Sequence, residues 1–200
     1  WHAWVSGIPA GQIYSYSTDD YAVYNLLGGT GTAAPSEPDA ALNVPNGYIA
    51  AGQGFFVGGI TDGRATFNNE MRIGGNNNQF FRSAPSEKHR LWISMHNPTG
   101  FKQILVGHAP SATNDFDRGW DARLIEVEGL TFYTLLAENK LSIQSFALPF
   151  DANQIVPLGY KTNTGGSHSI MINQTEGLFQ DQEIYLHDKA LDIVHDLKLS

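Results

Sequence analysis

The chain has 200 residues, 42% of them hydrophobic and only 16% charged, with a formal net charge of −8; one core of fair size can form. An acidic chain without a Lys/Arg cluster repels phosphate backbones, which sets nucleic-acid binding aside. The absence of cysteine removes disulfides, thiolate metal sites and cysteine nucleophiles, and no apolar run is long enough for a membrane-spanning helix.

Taken in chain order, the apolar runs are short, rich in β-branched and aromatic residues, and end in Gly, Pro, Asn or Asp. That is the pattern of strands joined by turns. Strands are expected at "GQIYSYS", "YAVYNL", "GYIAAGQGFFVGG", "ATFNNEMRI", "RLWISMHN" and "FKQILVGH". They continue at "RLIEV", "TFYTLLAE", "LSIQSFAL", "SHSIMINQ" and "EIYLHD". The tail "KALDIVHDLKL" reads as a final strand, with a helix as the rival because Leu191, Val194 and Leu197 recur at threefold spacing. Leu26 to Gly47, rich in Gly, Ala, Pro and Thr, reads as a long surface loop inside one domain covering residues 1–200. Many strands without crossover helices imply an all-β fold, an antiparallel β-sandwich of jelly-roll type.

One hairpin can be worked out residue by residue. The turn "NPTG", Asn97 to Gly100, sets Ile93 opposite Ile104, Leu91 opposite Val106 and His89 opposite His108. Strand alternation then gathers Leu91, Ile93, Met95, Ile104 and Val106 on one face. Trp92, Ser94, His96, Phe101, Gln103 and Leu105 occupy the other. The aliphatic face is the expected interior.

Candidate chemistry is sparse. Asn114, Asp115, Asp117 and Asp121 fall within eight positions, and packed carboxylates need a balancing partner. Calcium takes six to eight oxygen ligands, so these four residues form a candidate calcium site. Glu126 stands where an EF-hand would place its last ligand, but Gly119 and Trp120 break that pattern. The alternative is an Asx-rich loop whose oxygens accept backbone N–H bonds or pair with Arg118 or Arg123. A glycosidase-type carboxylate pair is a third reading.

Trp92 and Phe101 share the less aliphatic hairpin face and form a candidate sugar platform, alongside the early aromatics Trp1, Trp4, Tyr14, Tyr16, Tyr21 and Tyr24. The same residues serve equally as core. The His89–His108 pair is a candidate metal or pH-sensing site or simply a solvated pair. His187–Asp188 and His195–Asp196 are sequence neighbours, which point to opposite faces of a strand. No GxSxG elbow or phosphate-binding glycine loop is present, and no residue is assigned a catalytic role.

The order of several segments carries a resemblance: "STDDYAVYNLLGGTGTAAPS", "PNGYIAAGQGFFV", "ATFNNEMRI", "NNNQFFR", "ATNDFDRGWDA", "LPFDANQIVPLGYKT", "GLFQDQEIYLHDK" and "DIVHDLK". Together they resemble a domain that precedes the C-terminal sorting domain of large surface and secreted proteins exported by the type IX secretion system. The resemblance spans nearly the whole chain. It implies a β-sandwich at the cell surface or outside the cell, secretion machinery as partner through the adjacent sorting domain, and no reaction. The chain starts at Trp1, and we read it as a piece of a longer protein. The expectation is a non-catalytic structural or adhesion module. Its rival is a carbohydrate-binding module with a calcium-stabilised loop, contacting surface polysaccharide.

Overall fold

A computed structural model describes residues 22–31, 44–45, 47–49, 55–59, 61–72, 87–98, 100–125 and 129–199. The all-β expectation holds: the described residues build eleven strands and two short 3-10 turns. Two strands, β1 (Val23–Tyr24) and β2 (Gly29–Thr30), form a small hairpin. The principal sheet contains β3 (His89–Asn97), β4 (Gly100–His108), β5 (Ala122–Arg123), β6 (Thr131–Leu136), β7 (Asn139–Phe146), β8 (Leu158–Lys161) and β9 (Ser169–Glu176). A second hairpin joins β10 (Tyr185–Asp188) to β11 (Ile193–Asp196). The tail is therefore a strand, as its alternation indicates.

The principal sheet runs β8-β6-β7-β4-β3-β9, with β5 added against β7, and it is curled. The expectation of wholly antiparallel pairing is corrected at one place: β4 and β7 run parallel, from Leu105↔Ile143 to His108↔Phe146. Between them the chain passes through β5 and β6, a connection long enough to return it for a parallel pairing. Ile143 also faces Ala122, while Leu141 faces both Arg123 and Thr134. A strand residue has only two edges, so β6 and β4 succeed one another along the same edge of β7.

The β3–β4 hairpin has the register read from its turn, with Ile93↔Ile104, Leu91↔Val106 and His89↔His108. Leu91, Ile93, Met95 and Ile104 are buried in one cluster with Leu130, Phe132 and Phe179. Burial of each large aliphatic contributes about 1.5–3 kcal/mol. The opposite face is buried too: Trp92, Leu105 and Ile143 pack with Leu27, Ala109 and Ala112. A hairpin covered on both faces explains why its apolar residues are not confined to alternate positions.

This second layer corrects the reading of Leu26 to Gly47 as surface throughout. Leu27 and Thr30 are buried; Trp92 Nε1 donates to Gly29 O at 2.8 Å, and the Gly31 amide donates to Gln103 Oε1 at 2.8 Å. Residues 32–43 and 46 lie outside the described residues. A bulge in β9, opposite Trp92 and Ile93, leaves Asn173 out of the pairing. Its side-chain oxygen accepts from Gln103 Nε2 at 2.9 Å, so the bulge aims Asn173 at the Trp92 face.

Two expected strands did not form among the described residues, and one strand was not foreseen. The described parts of "GYIAAGQGFFVGG" and "ATFNNEMRI" form no strand; Asn69–Met71 is instead a 3-10 turn with Asn68 as its N-cap. Strand β8 was not foreseen, because Gly159 and Lys161 interrupt its apolar pattern. It pairs only β6, as an edge strand with weak patterning can. "GQIYSYS" lies outside the described residues.

Candidate functional site: the acidic loop and the paired histidines

The acidic loop connects β4 to β5. Asp121, just before β5, is buried, and one of its oxygens accepts from both the Ser145 amide (2.7 Å) and the Ser145 hydroxyl (2.9 Å). Its other oxygen accepts from the Asp117 amide at 2.7 Å. Asp117 in turn accepts the Thr113 amide, and Asn114 Oδ1 accepts the Ala147 amide at 3.1 Å. The Asp115 amide donates to Thr113 Oγ1 at 3.2 Å. Burial raises the Asp121 carboxyl above the usual carboxylate range, while the three donated hydrogen bonds oppose that rise.

These side chains therefore face different partners. Asp121 and Asn114 stitch the loop to the end of β7, and Asp117 closes the loop on itself. Among the described residues no group of three or more His, Cys, Asp or Glu side chains converges on a point that would hold a metal ion. Of the candidate calcium grouping Asn114, Asp115, Asp117 and Asp121, the side chains of Asn114, Asp117 and Asp121 are engaged in a hydrogen-bonded brace. Glu126 lies outside the described residues. Arg123 lies 4.7 Å from the Phe116 ring centroid, a cation–π contact.

The two aromatics of the candidate sugar platform are buried. Trp92 is 4% exposed and Phe101 6%. Arg90 lies 5.0 Å over the Trp92 ring and is ion-paired to Glu176; His96 packs edge-on to Phe101 at 4.8 Å. Neither aromatic offers a free face to a pyranose. Their hairpin face receives the β1–β2 cover, which strand alternation alone does not reveal. Tyr24 is exposed; Trp1, Trp4, Tyr14, Tyr16 and Tyr21 are outside the described residues.

The paired histidines form a second organised polar group, at one end of the β3–β4 hairpin. His89 and His108 close the hairpin at its open end, and both are buried. His108 Nδ1 lies 2.9 Å from Ala147 O, which makes it the donor. Phe146, Phe150 and Phe179 surround its ring, with centroids at 5.4, 4.8 and 6.0 Å. Burial lowers the His108 pKa; the bond to Ala147 O works against this, and the neighbouring His89 adds to it. His89 Nδ1 accepts the Leu178 amide at 3.2 Å, so its Nε2 carries the proton, 3.1 Å from Glu87 Oε1. Gly177 stands at φ +62°, and a Cβ there would lie 2.2 Å from His89 Nδ1. The opposition of the two histidines was legible in the sequence; the phenylalanine cage and the Leu178 contact were not, since they come from residues 38 to 89 positions away in the chain.

The hairpin histidines behave differently. His187 Nε2 reaches Asp192 Oδ1 at 2.9 Å, across the β10–β11 turn, and does not use its neighbour Asp188. Asp188 Oδ1 accepts the Ala190 and Leu191 amides of that turn.

A family model described as "Domain of unknown function (DUF8693)" matches residues 9–200, and the chain belongs to that family. No curated protein and no solved structure matches the chain.

Proposed function

We propose that this member of a family of unknown function is a non-catalytic structural or adhesion module of an exported surface protein. It would stand next to a sorting signal of the type IX secretion system and reach its secretion machinery through that neighbour. The observation that carries the reading is the use of the acidic loop. Asn114, Asp117 and Asp121 are engaged in bracing the β4–β5 connection against itself and β7. Groups so engaged hold a fold together, which supports a structural role. The order of sequence segments that resembles the presorting domain supplies the address.

The experiment has three arms. Fused to a sorting domain in a bacterium with that secretion system, the chain should reach the surface or the medium folded and protease-resistant; retention inside the cell counts against the address. Its melting temperature should be the same in calcium and in chelator. A rise with calcium, as expected for a ligand that binds only the native state, would restore the calcium-stabilised module. A glycan panel read by tryptophan fluorescence should be silent, and a saturable response would favour the carbohydrate-binding rival.

A further inference from the structure

Residues 55–59 and 61–72 fall between the β1–β2 hairpin and β3 in the chain. All of them are exposed, Phe56 at 79%, and none lies in a strand. Phe55 and Phe67 meet edge to face with centroids 5.7 Å apart, which draws the two ends of a loop together. A Cβ built at Gly58 or Gly63 would meet no heavy atom within 4 Å, so the loop backbone stands clear of the rest of the molecule there. Arg64 follows Gly63 in this loop and is exposed.

An endoprotease takes its substrate as an extended stretch, with the backbone accessible on both sides of the bond to be cut. Exposed loops supply such a stretch; paired strands supply it only after local unfolding. A trypsin-like enzyme also needs a cationic side chain just before the bond, to fill its acidic pocket. Arg64 meets both conditions, and its neighbours Gly63 and Ala65 add neither bulk nor charge. Other described basic residues are held differently. Lys102, Lys140 and Lys161 lie in paired strands. Arg90 is bonded to Glu176 and to Leu27 O. Arg118 stands in the loop braced through Asp117 and Asp121. Arg72 is the nearest competitor, and its amide is bonded back to Asn69 O at 3.0 Å.

We infer that the Arg64–Ala65 bond is the preferred cleavage site for a trypsin-like endoprotease, and that the cut chain stays together as two pieces. Water adds across the peptide bond, leaving a carboxylate on Arg64 and an amine on Ala65. The pieces hold because the β1–β2 hairpin, on the N-terminal side of the cut, is seated by contacts the loop does not share. Leu27 is fully buried in the cluster of Trp92, Leu105 and Ile143. Trp92 Nε1 donates to Gly29 O, and the Gly31 amide donates to Gln103 Oε1. The Leu26 amide donates to Gly119 O at 2.8 Å, and Lys88 Nζ donates to Leu26 O. Cleavage therefore changes the connectivity and leaves the cover over Trp92 in place.

Limited digestion of the whole chain with trypsin tests both parts. The first cut, located by mass spectrometry of the fragments, should fall between Arg64 and Ala65, and Arg64→Gln should abolish it. The two fragments should elute together from a sizing column in native buffer and separate in urea. No cut, a first cut at another bond, or first-cut kinetics unchanged in the variant overturns the site. Fragments that part in native buffer overturn the two-piece product. Arg64→Gln should keep the wild-type urea midpoint; protection that comes with a raised midpoint belongs to global stability and counts against the site.

Discussion

At the residue scale, the buried polar groups that matter most are those with a specific partner, Asp121, His89 and His108. Asp121 accepts three hydrogen bonds through its two oxygens. In Asp121→Asn one oxygen becomes an amide, and a donor then faces either the Asp117 amide or Ser145. The expected loss is about 1–3 kcal/mol, read as a lower urea midpoint with an unchanged slope. His108 yields a pH-dependent prediction. Its folded pKa is lowered mainly by burial, so the unfolded chain binds its proton more readily. Stability is therefore lost as pH falls through the unfolded value of about 6.5, and the loss ends once pH passes below the folded value. Denaturation at about pH 7.5 and pH 5.0 should show this decline in the wild type and a smaller one in His108→Gln. Of these residues, only the His89–His108 opposition was visible in the sequence, because a short turn fixes the register around it. The Ser145 partner of Asp121 lies 24 positions away, and nothing local to either residue marks the pairing.

At the scale of the element, the β3–β4 hairpin carries the core. Ile104 is fully buried in the aliphatic cluster, and Ile104→Ala should cost about 2–5 kcal/mol through lost transfer energy and a residual cavity. Gly177 is constrained by both backbone and space: its φ is positive, and the His89 ring occupies the place of a side chain. Gly177→Ala should destabilise the chain by about 1–3 kcal/mol. Its exchange signature should be largest in the turn and in the β3 residues beside it, since Phe179 shares the core cluster of Leu91 and Ile93. Alternation and the Asn97–Gly100 turn were enough to place this hairpin and assign its two faces. They did not disclose that both faces are covered. The cover over Trp92 comes from Leu27 and the β2 strand, in a glycine-rich stretch whose composition resembles exposed loop.

At the scale of the molecule, stability should be uneven. The β3, β4 and β7 strands are buried on both faces and share edges with other strands. The β10–β11 hairpin has two strands and exposes Tyr185, Ile193 and Val194. An isolated two-stranded sheet is marginally stable, so its amides should exchange first and those of β4 and β7 last. Slow exchange throughout residues 185–196 would show that more than the described contacts supports the hairpin.

Alternating apolar residues, short runs and turn chemistry settled the all-β class, the register of the central hairpin and the strand character of the tail. These are local: period two and a tight turn act within a few residues, and sterics leave little choice. The parallel β4–β7 pairing, the second buried layer, the brace through Asp121 and the Leu178 seat on His89 were decided only when distant segments met. Those contacts depend on which surfaces remain to be covered once the local elements exist, and hydrophobic burial is indifferent to where in the chain the covering residue comes from.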